Sequence, residues 1–274
     1  MSKDWKTEVE KMVLEAMNDP RSTHELISLA LSELDEDAAW EPVTILHRRG
    51  TREIFDAARS LVLSSCAVER TLGANILGQL GIPNRSFSRE SVELLLDLFQ
   101  SESDESVLEA TCVALGHIHD PLAIPALARL SSHPSENVRY SVVHGLMGHS
   151  DGLAIATLIE LSADTDEDVR DWATFGLGSQ VNDDTPAIRE ALFCRTTDSD
   201  SVVRGEALVG LARRHDERVV QPLIRELTRE EPTDRWDLPI EAAEELADQK
   251  LLPTLMRLKL ATGDDDDRFD QAIE

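Results

Sequence analysis

Aromatic residues make up only 4% of this chain, lysine occurs five times (Lys3, Lys6, Lys11, Lys250 and Lys259), and cysteine three times with no CxxC pair. Few aromatics against a 41% apolar content dominated by Leu, Ala and Val weigh against β architecture and favour helices packed through small aliphatic side chains. Cys66, Cys112 and Cys194 are widely separated and odd in number. That excludes a disulfide framework and predicts buried free thiols in a reducing compartment. No apolar run is long enough to span a membrane, and Met1 to Met17 carries charge throughout, without the apolar centre of a signal peptide. A cytoplasmic protein is expected.

Basic residues are also scarce relative to acidic ones, at 27 Lys plus Arg against 53 Asp plus Glu, a net charge of −26. Phosphate backbones and anionic membrane surfaces are bound through clustered cations, so neither nucleic acid nor membrane is an expected partner. The acidity has two readings: a solvated surface suited to a salt-adapted or high-GC organism, or steering toward a basic protein.

What the chain does have is internal repetition. A leucine recurs as Leu46, Leu77, Leu115, Leu146, Leu177, Leu211 and Leu246. Four residues before each stands Pro42, Gly73, Thr111, Val142, Ala173, Ala207 or Ala242, and Gly or Ala often follows the leucine. The spacing of four puts the preceding residue and the leucine on one helical stripe, where a small side chain admits a neighbouring helix. Each stripe marks a second helix, B, of a helix pair. Shorter apolar-periodic stretches mark the first helices, A: Ile54 to Leu63, Val92 to Phe99, Ile124 to Leu130, Ile155 to Leu161, Ile188 to Phe193, Val219 to Leu227 and Leu251 to Leu258. Pro121, Pro125, Pro186, Pro222 and Pro253 fall near their starts, where a missing N–H is tolerated. Asp and Ser in the A-to-B turns, as in Ser103 to Ser106, Pro134 to Asn137, Thr165 to Asp168 and Asp198 to Ser201, supply helix caps.

Arg70, Arg139, Arg170 and Arg204 each precede the leucine by seven. A cation in a first turn opposes the helix dipole and requires an acceptor, for which the acidic turn just upstream is the candidate. Leu108, Ala39 and Pro239 interrupt the column. With these residues the chain, over roughly 22 to 262, resembles the HEAT-repeat family, in which a turn Asp and a helix B Arg link neighbouring repeats in a ladder. The resemblance implies an all-α, right-handed α-α superhelix of about seven helix pairs as a single unit over 1–274. Capping helices would occupy 1–34, repeats about 35–262, and a C-terminal cap 263–274 with Asp264 to Asp267 as its acidic start. Loop insertions are expected at Gly81 to Ser88 and at Glu230 to Pro239. The stretches Arg170-Asp171-Trp172-Ala173, Val203 to Ala207 with Gly210-Leu211, and Glu241 to Leu246 followed by Leu251-Leu252-Pro253 are similar to small bacterial HEAT-like proteins found beside Rhs-type toxin genes. That likeness implies an immunity or interaction role.

Catalytic signatures are sparse. Gly176, Gly178 and Val181 occupy the positions of a GxGxxG loop, but the third is Val and the segment lies mid-helix. His117 and His119 near Cys112 are expected to be an end-of-helix pair, not zinc ligands, and His133, His144 and His149 lack ligand spacing. HEAT-like deoxyhypusine hydroxylases hold iron through several His-Glu dipeptides, of which only His24-Glu25 occurs here. HEAT-like DNA glycosylases use a basic concave face, which the acidity opposes despite Asp171 and Trp172. No metal, cofactor or enzymatic activity is expected. The expected function is a binding scaffold whose B helices line an acidic concave face and hold a basic protein through Glu109, Tyr140, His144, Asp171, Trp172 and Phe175. These sit two or six residues after the apolar start of each B helix, as do Val113, Gly205 and Val209, with Trp172 adjacent. Trp172 and Phe175 have a second reading as packing between repeats. The alternatives are a HEAT-like lyase subunit of the bilin type and a purely architectural adaptor. Oligomeric state is not encoded in any pattern found.

Overall fold

Six of the seven periodic leucines, Leu46, Leu77, Leu115, Leu146, Leu177 and Leu211, are at most 2% exposed, and Leu246 is half-buried. Burying each leucine contributes roughly 1.5–3 kcal/mol, so this column is the main apolar anchor of the B helices. The computed structural model describes residues 3–32, 36–229, 237–262 and 272, and every regular element among them is helical. The expected C-terminal cap, apart from Ala272, and residues 230–236 of the second wide loop lie outside the described residues, as does the side chain of Ala39.

The chain forms two compact units, 1–145 and 146–274. In the first, α1 (Lys3–Asn18) and α2 (Thr23–Ser32) precede α3 (Glu36–Arg49), the first B helix. Arg49 ties α1 to α3 by donating to the carbonyls of Ala16 at 2.8 Å, Asp19 at 2.6 Å and Arg21 at 2.9 Å. A cation there satisfies acceptors at and beyond the carbonyl end of α1. Helix α4 (Arg52–Val62) pairs with α5 (Ala67–Gly78), and α6 (Ser88–Phe99) with α7 (Glu105–Ile118). Pro121–Ala123 forms a 3-10 turn leading into α8 (Ile124–Ala128), followed by α9 (Glu136–Leu146) at the boundary. The loop between α5 and α6 docks on the end of α3, where the Gly81 N–H donates to His47 O at 2.7 Å. Gly50 and Gly81 both have positive φ there, and a Cβ on either would collide with neighbouring backbone. Only glycine fits both demands.

In the second unit, α10 (Gly152–Leu161) pairs with α11 (Glu167–Phe175), which continues as a π-helical turn over Gly176–Gln180. Helix α12 (Pro186–Arg195) pairs with α13 (Ser201–Arg213). A 3-10 turn at Glu217–Val219 opens α14 (Val220–Leu227), which packs on α15 (Asp237–Leu246), and a further turn at Gln249–Leu251 opens α16 (Leu252–Thr262). Asp104, Asp166 and Asp200 cap α7, α11 and α13 by accepting from N–H groups of the first turn at 2.8–3.3 Å.

Successive B helices meet at a constant register: the residue after one periodic leucine faces the residue before the next. Gly78 meets Ala114 and Gly116 meets Gly145 in the first unit, and Met147 meets Gly176 and Gly178 meets Gly210 in the second. A Cβ on Gly210 would stand 2.6 Å from the Gly178 Cα, so the small residues flanking the leucines set how closely the helices approach.

The arginine column makes two kinds of bond. In every case Nη1 donates to the carbonyl six residues earlier: Arg70 to Ser64 at 3.1 Å, Arg139 to His133 at 2.8 Å, Arg170 to Asp164 at 3.0 Å and Arg204 to Asp198 at 2.9 Å. The forked face of the guanidinium then reaches into the next repeat, where Arg70 binds Glu102 (2.7 and 3.1 Å), Arg170 binds Asp198 (3.1 and 3.2 Å) and Arg204 binds Glu226 (3.0 and 2.9 Å). The expectation that upstream carboxylates would receive each arginine is therefore corrected for these three. The upstream turn offers its backbone, and the next repeat offers the acid. Asp198 serves two repeats, its carboxylate taking Arg170 and its carbonyl taking Arg204. Where Leu108 replaces the arginine, the acid position of the next repeat is His133, whose Nδ1 accepts from the Ser135 N–H at 3.2 Å. Loss of the cation is thus matched by loss of the anion, and no carboxylate is stranded there.

Two cysteine expectations are overturned. Cys112 is buried, but Cys66 and Cys194 are exposed. Cys66 stands immediately before α5 and Cys194 near the end of α12, so neither occupies a core stripe.

Candidate functional site

In the unit 1–145, an apolar groove of about 550 Å³ lies across α2, α3, α5, α7 and α9. Leu31 of α2, Trp40 and Val43 of α3, Val68 and Leu72 of α5, and Val113 of α7 supply much of its apolar lining. Trp40 is 46% exposed and Val68 63% exposed. Glu109, a residue expected from the sequence, lies in this groove and is its one charged lining residue among those described. Partial burial, with Glu105 and Asp104 nearby, pushes its carboxyl above the ordinary range.

Also in this unit, Tyr140 and His144 lie one turn apart on α9, with rings edge to face and centroids 4.6 Å apart. Both are half-buried, and burial followed by the nearby His117 lowers the His144 pKa. Both effects disfavour the charged imidazolium.

In the unit 146–274, Trp172 and Phe175 stack edge to face at 5.7 Å on α11, each half-buried. Asp171 precedes them and influences Glu206 of α13, a residue outside the expected set. Burial pushes the Glu206 carboxyl up to about 7, aided by Asp171 and by Glu241 of α15, against an opposing effect of Arg213. Arg213 is held by Glu241 at 2.8 Å and Glu245 at 3.3 Å.

Gly205 and Val209, expected on the exposed stripe, are both buried. A Cβ on Gly205 would stand 2.7 Å from the Leu238 side chain, so α15 covers that stripe and the open position moves one residue on, to Glu206. The sequence signal was available: Glu206 and Glu241 both precede their leucine by five. Trp40 and Val68 carried no such signal, because the groove joins helices far apart in sequence.

Cys112 is fully buried, which raises its thiol pKa, and His119 ends α7 in the left-handed conformation. No group of three His, Cys, Asp or Glu side chains among the described residues is placed to hold a metal ion. Gly176 and Gly178 lie in the π-helical turn and pack against Met147 and Gly210. No helix among the described residues is long and apolar enough to cross a membrane.

The comparisons agree with this architecture. Protein YibA of Escherichia coli strain K12 is 30% identical over 237 residues, covering 84% of this chain and 82% of its own length. The X-ray structure of E. coli YibA superposes with a TM-score of 0.74 at 25% identity, over 100% of this chain and 96% of that one. An engineered protein of known crystal structure shares the fold with a TM-score of 0.58 at 18% identity, covering 91% of this chain and 76% of its own. The family model for HEAT repeats matches residues 92–178 and 155–238. With more than half of its length matched by that model, this chain belongs to the HEAT-repeat family.

Proposed function

We propose that this protein is a non-enzymatic binding scaffold that holds a basic protein partner against the acidic faces of its B helices, acting in the cytoplasm as an adaptor or immunity protein. The carrying observation is the crowding of carboxylates beside half-buried aromatic residues. Asp171 and Glu241 add to the cost of charging Glu206, which Arg213 offsets only in part, so a partner's cation placed there would stabilise the ionised Glu206. Trp172 and Phe175 add contact area of the kind that anchors interfaces. The net charge of −26 steers a basic partner toward these faces. The three free cysteines support a reducing compartment.

The test is affinity capture from native lysate, with mass spectrometry, using the wild-type chain and the Glu109→Lys/Asp171→Lys variant at low and high salt. Basic proteins retained by the wild type at low salt should be lost from the variant. The two charge reversals should weaken binding by at least about tenfold and flatten its salt dependence. Identical capture by both chains at both ionic strengths would sink the proposal.

A further inference from the structure

The groove in unit 1–145 has a composition that selects its occupant. Its lining is largely apolar or small, contains no Lys or Arg, and carries a single carboxylate, Glu109. Trp40 and Val68 leave apolar surface in water. Charge from Glu105 and Asp104 also acts on Glu109, so the field at this carboxylate is negative. We infer that this groove is the docking site for a segment of the basic partner that presents aliphatic side chains beside a lysine or arginine, the aliphatic groups covering Trp40, Val68 and Val113 and the cation meeting Glu109. This deepens the scaffold reading above and rests on it.

Each feature excludes an alternative occupant. An acidic or phosphorylated segment would bring a second anion into a cation-free groove and pay its desolvation without compensation. A purely hydrophilic cation would leave the apolar lining hydrated and forgo the roughly 25 cal/mol per Å² that burial supplies. Lysine and arginine suit the site because their methylene stems pack on apolar surface while their heads stay polar. A second copy of this chain would bring the same charge of −26 toward the same acid, which opposes self-association. Because burial and neighbouring acids hold the Glu109 carboxyl above its ordinary range, the bound cation would stabilise its ionised form. Binding should therefore weaken with falling pH earlier than an ordinary carboxylate would allow.

Three fluorescently labelled peptides test this against the full chain at low salt: one of leucine and lysine at amphipathic-helix spacing, its leucine and glutamate counterpart, and polylysine. The leucine and lysine peptide should bind tightest and the glutamate peptide should not bind. Glu109→Gln, Trp40→Ala and Val68→Asp should each weaken the first peptide by about tenfold, with helical content unchanged by circular dichroism because these positions are exposed or half-buried. If the peptide binds and all three variants bind it equally, the groove assignment is overturned. In that case, loss of binding in Asp171→Lys would leave the broader acidic-face reading standing. If neither cationic peptide binds, both readings fail together. Self-association in sedimentation that Val68→Asp abolishes would assign the groove to a second copy and overturn the inference.

Discussion

Glu206 shows how a single side chain can oppose the fold that contains it. Its carboxyl is pushed up to about 7 from an ordinary 4.5 by burial first, then by Asp171 and Glu241. A group whose folded pKa is raised contributes fully below its unfolded pKa, and that contribution is lost as pH rises through the folded value. Between about pH 4.5 and 7 the wild type therefore loses stability relative to a chain with a neutral amide at this position. Glu206→Gln should raise unfolding free energy by about 1–2 kcal/mol at pH 8, a figure discounted for solvent screening of a half-buried group. The gain should vanish near pH 4.5. Urea titrations at both pH values measure it, and an equal effect at each pH would show that packing, not ionisation, governs the site. Sequence counting placed the open stripe at Gly205 and Val209 because it assumed the same face for every B helix. The covering residue Leu238 lies on another helix, α15, beyond the reach of a local pattern.

At the scale of the element, legibility depended on whether a residue's partner lies nearby in the chain. The leucine column and the aspartate caps answer to local spacing, and both appear where the spacing puts them. The arginines are legible as a column, but their acids lie 22 to 32 residues downstream, so the pairing is set by the fold and not by local spacing. Of the rungs from Arg70, Arg170 and Arg204, the last is the most buried, with the Arg204 side chain 4% and Glu226 7% exposed. Arg204→Met would leave Glu226 with only Arg229, at 3.0 Å, and would strip a donor from the Asp198 and Ser199 carbonyls. Breaking a buried pair costs about 3–5 kcal/mol, and the surviving Arg229 contact places the expected loss near 3. Joint replacement, Arg204→Met with Glu226→Met, should recover most of it, since two apolar residues strand no charge. Thermal and urea unfolding of the single and double variants decide the matter. A double variant as unstable as the single would mean that the carbonyl bonds, not the ion pair, hold the repeats.

For the whole molecule the governing quantity is the charge of −26, whose two readings, habitat and steering, predict different responses to salt. Like charges oppose the compact state, and screening shortens their reach from about 10 Å at 0.1 M to about 3 Å at 1 M salt. The ladder pairs are buried and lose little on screening, whereas surface repulsion is relieved. Stability should therefore rise with sodium chloride by on the order of 1–2 kcal/mol between low salt and 0.5 M, and the gain should shrink toward the isoelectric pH, where net repulsion disappears. A salt-adapted surface would behave differently, with a chain that folds cooperatively only near molar salt. Unfolding curves across ionic strength separate the cases. A chain already folded at low salt, gaining modestly as salt rises, keeps its carboxylates charged and unscreened under the conditions where steering works, which the partner-binding reading requires. A chain that unfolds at low salt would remove those conditions and assign the acidity to habitat.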